Sequence, residues 1–168
     1  LAVGACTPAP PLPPPASAPN AQSSPSPTPA GPPRDDVMKA ARTIIEKALF
    51  ATMVTVDAEG APQSRIVDPF PPEGEFTIWI ATTGASRKVA EIQREPRVAL
   101  TYFDPSAPGY VTLIGNAAIV RDPAEKAKRW KEAWVGFYKD RNRGEDYTLI
   151  RVTATRLEIS SPNQGMNN

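Results

Sequence analysis

Alternation of apolar and polar residues dominates the chain beyond residue 48, and it is the main evidence for the fold. A period of two residues is typical of strands that bury one face. Within the longest alternating segment, Gly115 indicates a bulge or a close backbone approach. Six segments of this kind, rich in β-branched and aromatic residues, are predicted as strands: 49–56, 62–68, 76–81, 97–103, 110–120 and 147–159.

Two other segments follow the period of 3.6 residues that is typical of helices. The first begins at Asp35 and Asp36, which are predicted to cap it. The second begins after Ser86, a good N-cap residue, and Pro96 closes it. Residues 57–60, between the first two strands, are predicted to form a hairpin turn that ends on a glycine.

A third helix is predicted to begin at Asp122 as N-cap, with Pro123 at its first position. On this helix Trp130, Trp134 and Tyr138 recur every four residues and so share one face. Such a stripe is typical of core or dimer packing. Six strands, short turns and three helices imply an α+β fold, mainly β, in which helices lie outside an antiparallel barrel.

The first 34 residues differ in composition from the rest of the chain. They hold 12 of its 21 prolines, a single charge at Arg34 and no aromatic residue. Such a segment cannot bury enough apolar surface to offset the entropy of ordering it. We therefore predict a Pro/Ser/Ala-rich disordered tether over residues 7–34, one folded domain over residues 35–162 and a disordered tail over residues 163–168.

The charges of the folded part balance, with 18 Lys and Arg against 18 Asp and Glu. A balanced surface has no strong field that would attract nucleic acid, so no nucleic-acid partner is expected. The sequence also has no run of 18 apolar residues, so none of its segments is predicted to span a bilayer.

Cys6 is the one cysteine of the chain, and the small and aliphatic residues 1–5 precede it. This pattern resembles the end of a bacterial lipoprotein signal peptide, in which the cysteine receives acyl chains. It implies a domain anchored by lipid at the cell envelope, on the periplasmic face. Thr7, in place of Asp, favours the outer membrane. The alternative is a chance Ala/Gly-rich start to the tether with an unmodified cysteine.

The segment between the third strand and the second helix holds the main candidate site. It places the hydroxyls of Thr82, Thr83 and Ser86 beside the adjacent cations Arg87 and Lys88. The first turn of a helix favours anions, so two cations there break a local rule. A bound phosphate would turn that penalty into a stabilising interaction.

Simpler interpretations remain open for the cations of this region. Arg87 and Lys88 are each at helical spacing from Glu91, and such pairs contribute a few tenths of a kcal/mol. Arg65, in the second strand, lies in an alternating segment and would then simply point outward to solvent. The spacing of a P-loop is absent.

The segment from Thr82 to Lys88, with Glu91-Ile92 and residues 95–100, resembles the FMN-phosphate segment of the pyridoxamine 5'-phosphate oxidase-like flavoproteins. Residues 49–60, 64–67 and 110–117 follow in the order that this family uses. The resemblance spans about residues 37 to 160 and is closest to the general-stress-protein branch. It implies a six-stranded antiparallel split β-barrel with flanking helices, and a homodimer with the flavin between two subunits.

The resemblance also implies FMN as the cofactor and suggests which residues bind it. Tyr110 stands where the oxidases have a glutamine that contacts the flavin. Trp134 is the candidate to cover the flavin ring in the partner's site, as an alternative to plain packing. The residues implied to hold FMN are Arg65, Thr82, Thr83, Ser86, Arg87 and Lys88.

The folded part contains neither histidine nor cysteine, so any chemistry is expected to come from the cofactor. True pyridoxamine phosphate oxidases carry a C-terminal segment with Arg and His, and residues 157–163 do not match it. We therefore expect a flavin-dependent oxidoreductase acting on an unknown small molecule. The alternatives are a non-catalytic stress protein that binds or sequesters flavin, and a structural lipoprotein or a binder of another ligand such as haem.

Overall fold

The computed structural model describes residues 31–166. The predictions for Cys6, for the signal peptide over residues 1–6 and for nearly all of the tether lie outside these residues. From Pro32 onward the described residues belong to one unit. Within the described part of the chain, no helix is both long and apolar enough to cross a bilayer.

Three helices and six strands make up the unit, and all six strands fall on the segments predicted from alternation. The fourth and fifth strands match the prediction to the residue. Short 3-10 turns lie at Glu132–Trp134 and Pro162–Gln164. In chain order the elements are α1 Arg34–Lys47, β1 Ala51–Val56, β2 Pro62–Val67, β3 Thr77–Thr83, α2 Arg87–Arg94, β4 Arg97–Phe103, β5 Tyr110–Val120, α3 Pro123–Lys128 and β6 Tyr147–Ser160.

All six strands form one antiparallel sheet in the order β2-β1-β4-β5-β6-β3. The sheet curls so that its two edges approach each other. Just beyond β2, Pro69 pairs with Ile80 of β3, and the Phe70 N–H donates to the Trp79 carbonyl at 2.8 Å. The predicted six-stranded antiparallel split barrel is therefore confirmed.

The inner face of the curled sheet and one face of α1 form the main core. Ala41 and Ile44 of α1 are fully buried against it, and α2 contributes Ile92. Burial of Ile92 in this core fixes α2 against the sheet. The most deeply buried aliphatic side chains of the sheet are Met53, Ile78, Ile80, Leu100, Val111, Leu113, Leu149, Ile150 and Val152.

Gly115 marks both of the features that its position predicted. The register between β5 and β6 shifts between Ile114 and Gly115, which leaves Thr155 as the extra residue of a bulge. A Cβ atom on Gly115 would lie 2.1 Å from the Thr153 carbonyl oxygen. No other residue fits this close approach without moving the strands, so glycine is required here.

The third helix is shorter than predicted, and the prediction of a helix through Tyr138 is wrong. Asp122 does cap α3, with its carboxylate accepting from the Glu125 N–H at 2.9 Å, and Pro123 is the first residue. The helix nevertheless ends at Lys128. Beyond it the chain departs from the helix, and the rings of the aromatic stripe pack on Tyr147 of β6.

Both ends of the domain also differ from the predicted boundaries. Asp35 and Asp36 lie inside the first turn of α1, because Pro33 occupies the N-cap position. At the other end, the chain stays ordered past residue 162. Ser161 and Met166 exchange two backbone hydrogen bonds across a 3-10 turn, and the Met166 side chain is buried in the core. Residues 163–166, which belong to the predicted tail, thus pack at the end of the domain.

Candidate functional site

The turn between β3 and α2 is packed tightly against the start of β6. The Gly84 N–H donates to the Asp146 carbonyl at 3.1 Å. A Cβ atom on Gly84 would lie 2.7 Å from the Glu145 carbonyl oxygen and 2.9 Å from Thr148 Oγ1. Glycine is therefore needed at position 84 so that the backbone of the turn can approach the start of β6. This contact fixes the position of the turn on the sheet.

Three predicted side chains of this turn contact one another. Lys88 Nζ donates to Thr82 Oγ1 at 2.8 Å, and Thr82 Oγ1 lies 3.2 Å from Ser86 Oγ. Ser86 is the N-cap of α2, yet its hydroxyl makes no capping bond, and the first turn holds no acidic residue. The start of the helix thus presents hydroxyls and an ammonium, a set suited to an anion.

Lys88 is half-buried, and its environment disfavours its positive charge. Burial lowers the pKa of the Lys88 ammonium, and the nearby charge of Arg65 lowers it further, although Glu91 opposes the shift. An anion bound beside Lys88 would offset both effects.

Arg65 points inward and binds a buried carboxylate. Its Nη2 lies 2.8 Å from Glu91 Oε2, and its Nη1 donates to Thr55 Oγ1, which in turn donates to Glu91. The side chains of Arg65 and Glu91 are only 18% and 8% exposed. Arg65 therefore does not simply point to solvent, and Glu91 bonds to Arg65 rather than to Arg87 or Lys88.

Glu91 stays ionised in this environment. Burial alone would raise its pKa, but the Thr55 hydrogen bond and the Arg65 charge outweigh burial and hold the pKa below its ordinary value of 4.5. The charges of the region are then three cations, Arg65, Arg87 and Lys88, against one carboxylate. The region keeps a net charge of two positive units, as a phosphate site requires.

The structure therefore brings most of the predicted residues to one place. Thr83 and Arg87 lie in the same turn with exposed side chains. We call the set the cradle; its residues are Arg65, Thr82, Thr83, Ser86, Arg87 and Lys88.

Tyr110 lies far from the cradle within one chain. On β6, Tyr110 pairs with Ser160, whereas Thr82 of the cradle pairs with Thr148. The two positions are twelve residues apart, or roughly 40 Å along the strand at about 3.3 Å per residue. Along β6, Tyr110 therefore lies well away from the Thr82 end of the cradle in its own chain.

Trp134 packs among aromatic rings of its own chain. Its ring centroid lies 5.8 Å from that of Phe70, 6.2 Å from Tyr147 and 6.4 Å from both Trp130 and Tyr138. These contacts fit the packing interpretation of the stripe. None of the aromatic contacts of Trp134 involves a cradle residue.

Sequence reasoning missed the roles of Thr55, Glu91 and Thr148. Thr148 is fully buried beneath the Gly84 turn, and its hydroxyl has no hydrogen-bond partner among the described residues. The alternation of β1 does place Thr55 on the inner face with Ala51 and Met53, so its burial could have been predicted. The ion pair of Glu91 with Arg65 could not have been predicted, because the two residues belong to separate elements that are distant in the sequence.

These residues fit a phosphorylated cofactor, and their chemistry does not suit a metal. The cradle offers cations and hydroxyls, whereas metal sites need carboxylate, imidazole or thiolate ligands. Over residues 31–166 no group of His, Cys, Asp and Glu is arranged to hold a metal ion.

Comparison with known families decides the family of the chain. The sequence profile of pyridoxamine 5'-phosphate oxidase matches residues 37–161, well over half of the 168 residues. The chain belongs to the pyridoxamine 5'-phosphate oxidase family. Proteins of this family commonly bind flavin cofactors. Comparison with curated proteins gave no match.

Solved structures share the family fold. General stress protein 26 from Bacillus anthracis is 23% identical with a TM-score of 0.63, covering 73% of this chain and 92% of its own. A related protein from Clostridium acetobutylicum is 19% identical with a TM-score of 0.67, covering 75% and 89%. A protein described as an F420 reductase is 23% identical with a TM-score of 0.53, covering 70% and 94%. At these identities the likeness supports the fold alone.

The buried Arg65–Glu91 pair generates a prediction about stability. Replacing the carboxylate in Glu91→Gln leaves Arg65 partly unpaired, so we expect the free energy of unfolding at pH 7 to fall by about 1–3 kcal/mol. Because the folded pKa is depressed, the contribution of Glu91 is present above pH 4.5 and is lost as pH falls through the lower folded value. Urea unfolding of both proteins from pH 7 to pH 3 measures the difference.

Glu46→Gln is the matched control, since Glu46 is exposed on α1. It should change the free energy of unfolding by less than about 0.5 kcal/mol at each pH. Equal stability of Glu91→Gln and the wild type at pH 7, or a gap that widens on acidification, would contradict the prediction.

Proposed function

We propose that this protein binds FMN through the cradle and acts as a flavin-dependent oxidoreductase on a small molecule. The observation that carries the proposal is the contact between Lys88, Thr82 and Ser86 at the start of a helix with no acidic residue in its first turn. Family membership supports a flavin as the ligand.

The charge of the cradle supports a terminal phosphate as the group it binds. Arg65 is balanced by Glu91, which leaves the charges of Arg87 and Lys88 for a ligand. A phosphate monoester carries close to two negative charges at pH 7 and accepts several charge-assisted hydrogen bonds. FMN ends in such a group.

A bound flavin supplies hydride or electron transfer without requiring an acid or base from the protein. The residues of this chain would then anchor the phosphate, through Arg87 and Lys88, and orient it, through Thr82 and Ser86. The same cradle would serve a non-catalytic flavin-binding or sequestering protein. The two functions differ in whether the bound flavin turns over.

We also propose a homodimer formed through the outer face of the sheet. Phe50, Ile66 and Phe103 are large apolar side chains on or beside this face, and each is more than half exposed. Ile66 pairs with Thr52 of β1, and Phe103 pairs with Tyr110. A second copy on this face would cover these side chains and bring Tyr110 near a partner's cradle; Trp134 is the other candidate for a partner's flavin.

The anchoring proposal rests on the sequence around Cys6. We propose that acylation of Cys6 tethers the domain to a bacterial membrane, on the periplasmic side. Mass spectrometry of the mature N-terminus tests it, because an unmodified Cys6 still preceded by Leu1 would exclude the anchor.

The cradle generates a prediction about ligand affinity. The double variant Arg87→Gln/Lys88→Gln should weaken FMN binding roughly hundredfold or more, because two charge-assisted contacts to the phosphate are lost. Quenching of flavin fluorescence measures the dissociation constant. Riboflavin, which lacks the phosphate, should bind both proteins with the same weak affinity, and this separates phosphate recognition from a change of fold.

Arg94→Gln is the control for the double variant. Arg94 is a cation of the same helix, but at its other end, where it donates to the Val56 carbonyl at 2.9 Å. It should change FMN affinity by no more than about threefold, since its charge is distant and screened. Equal affinity of the wild type for FMN and riboflavin would refute the cradle, and tighter binding of F420 than of FMN would assign a deazaflavin instead.

Turnover separates the enzyme from the sequestering protein. We expect NADH or NADPH to bleach the bound flavin under anaerobic conditions, and a small-molecule acceptor to restore its absorbance. A flavin that stays oxidised with every donor tested would support sequestration.

The dimer generates a separate prediction. Ile66→Asp/Phe103→Asp should halve the mass measured by light scattering, because two charges would be buried in the interface. FMN affinity should fall with it. Phe137→Asp is the control, since Phe137 is exposed in the segment before β6 and should leave the dimer intact. A wild-type protein that is monomeric at all concentrations would contradict the proposal.

A further inference from the structure

A cavity of about 590 Å³ opens between the start of α3 and the segment before β6. Its charged and polar walls are Arg121, Lys126, Asn142, Arg143 and Glu145. We call it the basic cavity. None of these residues belongs to the cradle, and neither the family profile nor the related structures assign a ligand to them.

Lys126 is the unusual residue of this cavity. It is only 5% exposed, and its Nζ donates to the Gly144 carbonyl at 2.8 Å. Among the described residues no carboxylate lies within ion-pair distance of this ammonium. Removing a charge from water is costly, so buried cations normally have an anionic partner. Lys126 has a single neutral acceptor and the face of the Tyr147 ring, 6.0 Å away.

Arg121 and Arg143 extend the same pattern. Both line the cavity, and neither forms an ion pair with a described residue. The cations that follow Lys126 are different, because Lys128 and Arg129 pair with Glu73, and Lys131 pairs with Asp68. What distinguishes the cavity is therefore the burial of Lys126, because the other fully buried cation of the described residues, Arg129, pairs with two carboxylates.

The charges of the basic cavity sum to two positive units, with three cations against Glu145. Each guanidinium can donate two parallel hydrogen bonds, and the ammonium can donate more. Together they can engage all the oxygens of a tetrahedral dianion such as phosphate, whereas a carboxylate ligand offers only two oxygens and one charge. The volume leaves room for an organic group beyond the phosphate. We infer that the basic cavity is a second anion site, which binds a small phosphorylated molecule.

The basic cavity and the cradle share one supporting segment. Lys126 bonds to the Gly144 carbonyl, and Gly84 of the turn bonds to the Asp146 carbonyl, two residues further on. A ligand in the cavity would therefore lie close to the cradle. The cavity would suit a phosphorylated substrate that reacts beside a cofactor held in the cradle. The inference itself does not require flavin binding, because the two sets of side chains are separate.

Titration of the uniformly ¹⁵N-labelled protein with inorganic phosphate tests the inference. Saturable shifts are expected for the backbone amides of Lys126 and Arg143, separately from any shifts at residues 83–88. Arg143→Gln should raise the dissociation constant at the cavity roughly tenfold or more, because a charge-assisted contact is lost. Lys126→Gln should do the same.

Lys128→Gln is the matched control, since it lies on the same helix and pairs with Glu73. It should change the dissociation constant by less than about twofold, as a screened surface charge does. If Lys126→Gln does not fold, Arg143→Gln still tests the inference. Arg143 is exposed, so its replacement should not prevent folding.

No saturable shift at Lys126 and Arg143, or equal weakening by Lys128→Gln and Arg143→Gln, would overturn the inference. Shifts at residues 83–88 alone would overturn it while leaving the cradle intact. Shifts at the cavity alone would support it and count against the cradle.

Discussion

The buried ion pair between Arg65 and Glu91 is the constraint on which the candidate site depends. Arg65 belongs to the edge strand β2, and Glu91 to the helix that follows the other edge strand, β3. The pair, with Thr55, therefore joins the two edges of the curled sheet. Buried pairs of this kind are weak sources of stability, since desolvation offsets most of the attraction. What the pair does provide is a fixed position for α2, and with it for Arg87 and Lys88.

The same electrostatic reasoning applies to both clusters of cations. In the cradle, burial and the nearby charge of Arg65 lower the pKa of the Lys88 ammonium, although Glu91, the partner of Arg65, opposes the shift. In the basic cavity, Lys126 is buried with only a carbonyl to accept from it. Elsewhere in the described chain, buried Arg129 has two carboxylates and the Trp79 ring. A buried or half-buried cation left without a carboxylate is therefore the local exception that points to a ligand.

Local pattern predicted the strands well, because β4 and β5 alternate without interruption and their bounds depend on that alternation. Local pattern failed where residues distant in the sequence provide the packing or ion-pair partner. The spacing of the aromatic stripe predicted a helix. In the structure the rings of Trp130 and Tyr138 instead pack against Tyr147 of β6, and the chain between them is not α-helical. Helical spacing likewise favoured a local partner for Glu91. The carboxylate lies on the buried face of α2, so its partner comes from another strand, which a single sequence does not reveal.

The charge balance of the cradle also bears on which flavin the site favours. With Arg65 and Glu91 matched, two positive charges remain, and their best complement is a group that carries two negative charges. A terminal phosphate monoester provides this above its second pKa near 6, whereas a phosphodiester carries a single charge at any physiological pH. Excess positive charge in a half-buried site is costly, because Lys88 already lies beside Arg65. Under the proposed binding of a flavin phosphate, the cradle should therefore discriminate by ligand charge and prefer a terminal phosphate monoester to a phosphodiester.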